Sequence, residues 1–435
     1  MMQKGRVDAR SQRAVPEPDF GKARDATRRN NIVTIATELR GRRVINARGY
    51  STKVGGSILS REVTNAMTEA AGFFVRIEDL QRAAGAVIAE LTGAEAGYVS
   101  SGASAGLTMA AAAVLARLDP HRMNRLPDTA DIPNEIVLLR RHRNDYDHAL
   151  RLAGAKLVEV GFHDWTFAYE MDQAIGPKTA GVFYLGHDIS ANLSIAEVIQ
   201  IAHAKSVPVI VDASMALPPP SNLRRYFQLG ADLVSFSGGK HIQGPQASGI
   251  IAGRADLITS LALQHQDMDV YPDTWPSRDL IGKGIVIGPP HHGVGRGFKV
   301  GKEEICGLVA ALKAYVARDF DEERARCGRF ADTLMSGLDG LAGIIASRID
   351  TTFEGRPGPY VELVLDNTAA LSATELVNLL QAEDPMVCTW EGRAFQGVVA
   401  LYPEALADGE AEEIVDVIEK IVTHHINKQQ QIRSS

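Results

Sequence analysis

The chain predicts an α/β protein: a mostly parallel sheet sandwiched by helices, followed by a smaller C-terminal α+β domain. Three observations carry this expectation. From Glu135 onward, short apolar strands alternate with helical stretches, the pattern of a sheet covered on both faces. His142-Arg143-Asn144, Asp212 and the Lys240 turn each follow directly on such a strand, where ligands bind in open α/β sheets. Beyond residue 340 the pattern becomes mixed, with short strands between longer helices.

The composition fits a large soluble core. Of 435 residues, 45% are hydrophobic and 23% charged, and the net charge of −7 gives no basic field for nucleic acid or an anionic membrane. Cys306, Cys327 and Cys388 make neither a disulfide framework nor a metal spacing, so a reduced, cytoplasmic setting is expected. No apolar run reaches membrane-spanning length.

In order, residues 1–31 read as a mobile, mildly basic tail; residues 1–30 hold eight Lys/Arg against four Asp/Glu. Folding begins near Ile32. Val44-Ile-Asn46-Ala-Arg48-Gly-Tyr50-Ser-Thr52-Lys53 sets polar side chains among glycines, as a ligand-facing loop does. Helical periodicity covers Arg61–Ala71 and Val75–Leu91. Ser101-Gly102-Ala103-Ser104 then opens an Ala-rich helix over Leu107–Leu118, an anion site of free N–H groups and hydroxyls. The expected strands of the sheet are Glu135–Leu139, Lys156–Val160, Gly181–Leu185, Val207–Val211, Leu233–Phe236 and Gly249–Ala252, with helices Tyr146–Ala153, Ser194–Lys205 and Leu223–Leu229 between them. Residues 264–300 form a long functional loop. Helices Lys302–Val316 and Phe320–Leu341 follow. The tail then holds strands Val361–Leu365, Met386–Thr389 and Gly397–Ala400, with helices Ala373–Leu380 and Glu410–Val422. The organisation expected is a segment at 32–70 packing on the small domain and the active site, a large domain at 71–305, a small domain at 306–425 and a tail at 426–435.

Lys240 carries the chemistry. Its turn, Ser237-Gly-Gly-Lys240-His-Ile-Gln-Gly-Pro-Gln246, lies between two apolar strands, where a desolvated amine becomes a nucleophile. The reaction that most needs such an amine is imine formation with pyridoxal 5'-phosphate (PLP), a cofactor that also needs a carboxylate beside its ring nitrogen and donors around its phosphate. Asp212 supplies the first. The Ser101–Ser104 turn supplies the second, with the Ser237 hydroxyl as a further donor.

These residues resemble the fold-type I PLP-dependent enzymes, and more closely the selenocysteine-synthase-like family, which includes L-seryl-tRNA selenium transferase and D-glucosaminate-6-phosphate ammonia-lyase-like proteins. The match rests on Val44-Ile-Asn-Ala, Ser101-Gly-Ala, Ala153-Gly-Ala-Lys-Leu-Val-Glu-Val-Gly161, Val209-Ile-Val-Asp212-Ala, Phe236-Ser-Gly-Gly-Lys240 with Gly244-Pro-Gln246, and Gly295-Arg296-Gly-Phe-Lys299-Val-Gly-Lys302. It covers about residues 38–425. The resemblance implies that Lys240 forms the internal aldimine and serves as base and acid, and that Asp212 pairs with the pyridinium. Ser101, Gly102, Ala103, Ser214 and Ser237 complete the cofactor set. His142 stacks on the ring, with Arg143 and Tyr146 as competitors. Asn46, Tyr50, Thr52 and Lys53 face the substrate. Arg143, Arg296, Lys299 and Arg393 (or Arg356) take its anionic groups, and His291 and His292 assist proton transfer. Arg296 and Lys299 could instead reach the cofactor phosphate across a dimer interface, since a homodimer or higher assembly is implied. No metal is expected.

The small-molecule branch is favoured over tRNA binding, because little foldable chain precedes Ser101 and the net charge is negative. The expected activity is α,β-elimination from a hydroxylated amino acid, such as D-glucosaminate or its phosphate, releasing ammonia and a 2-keto acid. A PLP racemase, aldolase or transferase, selenium transfer to seryl-tRNA, and a non-catalytic protein of the same fold are the alternatives.

Overall fold

The computed structural model describes residues 38–39, 41–188, 190–265, 271–351, 357–366 and 368–434. The expected N-terminal tail and Arg356 lie outside them. From Val44 the chain is one compact unit. Its centre is a seven-stranded sheet in the order β2-β8-β7-β6-β5-β3-β4. The strands are β2 (Ala96–Ser100), β3 (Glu135–Leu139), β4 (Lys156–Val160), β5 (Thr179–Leu185), β6 (Val209–Asp212), β7 (Leu233–Ser237) and β8 (Gly249–Gly253). β3 to β7 run parallel, and β8 is antiparallel to both β2 and β7. The apolar runs of the inner strands β3 and β5 to β8 are buried, as a doubly covered sheet requires, while the edge strand β4 is largely part-exposed.

Two apolar clusters fill the faces. One gathers Val63, Ile88, Val198, Leu308 and Tyr315; the other gathers Leu107–Ala116, Leu257, Leu261 and Trp275. The helix Ala103–Ala116 is buried on nearly every side, which explains its alanines: only a thin helix fits between the sheet and the outer layer. At the sheet's edge, Gln81 replaces a missing neighbour strand, its amide donating to Val99 O (2.9 Å) and its carbonyl accepting from Val99 N (3.0 Å). That pairing fixes β2, and β2 delivers the Ser101 turn.

A third cluster surrounds an antiparallel sheet, β12-β10-β9 (Val398–Leu401, Pro357–Leu365, Ile344–Thr351), with helices Phe320–Leu338, Ala373–Ala382 and Glu410–Ser434. Here the structure departs from the sequence reading. Val44–Ala47 is a strand, β1, paired in parallel with β11 (Met386–Thr389), and Ile45 and Ala47 belong to this third core. Lys302–Val316 lies with the large core, its Ile305, Leu308, Leu312 and Tyr315 belonging to the same cluster as Val63 and Phe236, so the smaller core begins after it and not at residue 306. The last helix continues to Ser434 through the expected tail; Gln429 Nε2 donates to Ala370 O at 2.8 Å and anchors the extension. Trp275 and Val286 are core residues, so the described 271–300 part of the expected loop is anchored in the large core.

Candidate active site

Asp212 and Lys240 lie at or just past the carboxyl ends of adjacent parallel strands. Asp212 ends β6 and is 4% exposed; its Oδ1 accepts from Ser214 N at 2.9 Å. Ser214 N is its one hydrogen-bond donor among the described residues, which leaves the carboxylate's second oxygen able to accept from a cationic partner. Lys240 follows β7 and is half-buried, with Nζ 2.9 Å from Met215 Sδ. The turn that carries it is too tight for side chains: a Cβ on Gly239 would stand 2.8 Å from Gln246 Cα.

Across the strands, Ser237 pairs with Gly249 of β8. A Cβ at Gly249 would lie 2.6 Å from Gly102 C and 2.8 Å from Ala103 N, so the Ser101–Ala103 turn rests directly on this glycine. The turn opens the helix Ala103–Ala116, whose N-cap Gly102 provides no side-chain cap, leaving first-turn N–H groups for an anion. Ser101 Oγ donates to Phe298 O at 2.9 Å, which brings the Arg296–Lys299 segment beside the turn. Ser100, Gly102, Ser237 and Gly249 therefore line one corner, with Asp212 and Lys240 on the neighbouring strand ends.

The N-terminal segment closes over the lysine turn. Gln243 Nε2 donates to Tyr50 Oη (2.7 Å), and Gln246 Nε2 donates to Thr52 Oγ1 (2.9 Å). Tyr50 also donates to Glu404 O (3.1 Å) and packs edge-on against His241, 5.2 Å between ring centroids. Burial, reinforced by Glu404, pushes its phenol well above the ordinary range. Tyr50 thus fastens the turn.

Several expected residues are tied elsewhere. Asn46 turns back on its own loop, donating to Gly49 O and accepting from Arg48 N. Arg143 pairs with Asp147 and Glu159 near the outer strand β4, with β5 and β3 between it and Asp212. Arg393 forks onto Glu362 at 3.1 and 3.4 Å. His142 is fully buried, edge-on to Tyr184 at 4.5 Å, with Nδ1 accepting from Leu185 N (3.3 Å) and Nε2 3.3 Å from Asp188 Oδ2. Burial lowers its pKa against the opposing pull of Asp188. Burial alone would raise Asp188, but His142, Arg141 and Ser190 outweigh it and hold that carboxyl far below its usual value. His291 and His292 are exposed, and no group able to hold a metal occurs among the described residues. Met215, Gln243 and Glu404, which complete the site's frame, carry no motif; only the Gly-Pro-Gln246 stretch signals that the turn is special.

A fold of this topology, with a lysine, a carboxylate and a helix-opening Ser-Gly-Ala turn at its strand ends, is that of the fold-type I PLP-dependent enzymes. The chain belongs to the selenocysteine-synthase-like family of that class. A family model described as L-seryl-tRNA selenium transferase matches residues 146–268. A 5'-C-glycyluridine monooxygenase-decarboxylase from Streptomyces sp is 33% identical over 392 residues, covering 88% of this chain and 90% of the relative. The D-glucosaminate-6-phosphate ammonia lyase of Salmonella typhimurium is 32% identical, covering 88% and 96%. A solved structure of D-glucosaminate-6-phosphate ammonia-lyase superposes with a TM-score of 0.74 at 31% identity, covering 90% of this chain and 99% of that one. Among the described residues no helix is long and apolar enough to cross a membrane.

Proposed function

We propose that this chain is a PLP-dependent ammonia-lyase that eliminates a β-hydroxyl from a hydroxylated amino acid, such as an amino-sugar acid or its phosphate. The observation that carries the reading is the placement of Lys240, Asp212 and the Ser101–Ala103 turn at the same end of the sheet, in a chain related over most of its length to an ammonia lyase. The residues fit the cofactor: Asp212 presents a carboxylate in a residue 4% exposed, where Ser214 N is its one hydrogen-bond donor among the described residues, and Gly249 keeps open the cradle that a Cβ would fill.

In this reading the Ser101, Gly102 and Ala103 backbone and the Ser237 hydroxyl hold the phosphate, and Asp212 holds a proton on the ring nitrogen. Bound there, PLP withdraws electrons from the substrate Cα. Lys240 Nζ accepts the Cα proton and returns it to the departing β-hydroxyl, which leaves as water. The enamine so released tautomerises to an imine, whose hydrolysis consumes one water and yields ammonia and a 2-keto acid. Burial of Asp212 keeps bulk water from the ring-nitrogen proton.

A panel of D- and L-hydroxyamino acids and amino-sugar acids, assayed for ammonia and keto acid in equal amounts, tests the reaction. Oxygen uptake with carbon dioxide release, and no ammonia, would favour chemistry like that named for the Streptomyces relative and end the lyase reading. Gly249→Ala is expected to weaken PLP retention about tenfold, since its Cβ must push the phosphate turn outward; dialysis against phosphate buffer reads the loss. A homodimer or larger assembly is also expected, and light scattering that finds an active monomer would refute it.

A further inference from the structure

Away from the lysine, two cations converge on one acid. Lys53 Nζ lies 2.6 Å from Glu391 Oε1, and Arg48 Nη1 pairs with Glu391 Oε2 while also donating to Thr389 O at 3.2 Å. The three charged side chains come from two pieces of chain that β1 and β11 hold side by side, with Ala47 opposite Thr389. Their setting is neither a core nor an open surface: side-chain exposures are 21% for Arg48, 49% for Lys53 and 28% for Glu391. At the same end of β11 the Thr389 hydroxyl, in a residue 1% exposed, has no hydrogen-bond partner among the described residues. Burial alone would raise the Glu391 carboxyl, yet the two cations bring it below its usual range.

The position matters as much as the charges. Thr52, beside Lys53, accepts from Gln246 of the lysine turn, and a Cβ on Gly56 would stand 2.8 Å from Gly239 O, one residue before Lys240. The loop that carries both cations therefore lies on the turn that carries the amine. Two cations and one carboxylate leave a surplus positive charge. Their geometry already suits an oxyanion, because one oxygen of Glu391 is taken by each cation.

We infer that Arg48 and Lys53 form a subsite for an oxyanion of the substrate remote from its reacting amine, a carboxylate or a phosphate ester, with Glu391 as the resident counter-ion that the incoming group displaces. The inference rests on the reading of the site as one for a small anionic amino acid. Glu391 then has a definite role, satisfying both cations while the site is empty and penalising neutral substrates, which cannot replace it. Arg48 and Glu391 thereby join Lys53 as specificity-determining residues.

Titration of the full-length, PLP-loaded protein with inorganic phosphate, and separately with acetate, tests this without turnover. The emission of Trp390, which adjoins Glu391, is the readout, taken as the difference from Trp390→Phe. A saturable response is expected for at least one anion, and the stronger of the two identifies the group. Lys53→Met should weaken that anion about tenfold, and Glu391→Gln should tighten it several-fold. Lys53 is half exposed, so its substitution leaves packing in place. No saturable response, or affinities unchanged in both variants, would overturn the subsite. Binding without ammonia release from any amino acid would instead leave the subsite standing and remove the proposed reaction.

Discussion

Lys240→Ala is expected to lower turnover by about 10⁴-fold or more and to abolish the visible absorbance that PLP shows when held by an amine. The turn is shaped by Gly238 and Gly239, the end of its own strand offers Ser237 and the adjacent strand end offers Asp212, neither of which can form an imine. Folding should be spared, because Lys240 is only half-buried and its amine rests against the soft sulfur of Met215. Absorbance, circular dichroism and kcat measured together separate the outcomes. A variant that keeps the wild-type spectrum would move the covalent role to another residue.

Asp212→Asn is expected to cost about 10²-fold in kcat with the melting temperature unchanged or slightly raised. The amide can still accept from Ser214 N, now at 2.9 Å from Oδ1, so the local turn survives. What disappears is a negative charge at a buried position, the feature that would keep a ring nitrogen protonated. A purely structural acid would show the reverse pattern, a lower melting temperature with kcat little altered. Thermal denaturation beside steady-state kinetics decides between them.

Six of the central sheet's seven strands are legible in the sequence because they are short, apolar and set between helical stretches: β3 and β4 match the expected limits, and β5 to β8 differ only at their ends. β2 is not expected, its Gly97-Tyr-Val-Ser stretch reading only as the approach to the Ser101 turn. The lysine turn is legible because a polar, glycine-rich stretch between two buried strands has few other uses. β1 is not, since four residues flanked by Arg and Gly look like a loop until β11, some 340 residues away, supplies their partner. Side-chain pairing is the least visible level. Arg393 offers the fork that a carboxylate clamp needs, but Glu362 on β10 takes it, and nothing local to Arg393 announces that acid. Arg143 fails the same way, through Glu159 on β4. Glu391 escapes a reading of the sequence because an acid next to Trp390 has no signature until two distant cations close on it.

The clamp from Tyr50 and Thr52 onto Gln243 and Gln246 has a mechanical corollary. The nucleophile's loop is steadied from outside its own sheet, by a strap whose root is zipped into the C-terminal layer through β1 and β11. Loosening that outlying layer slackens the grip on the amine while the large sheet is still whole, so on gentle heating catalytic power should fade before the far-ultraviolet helical signal does.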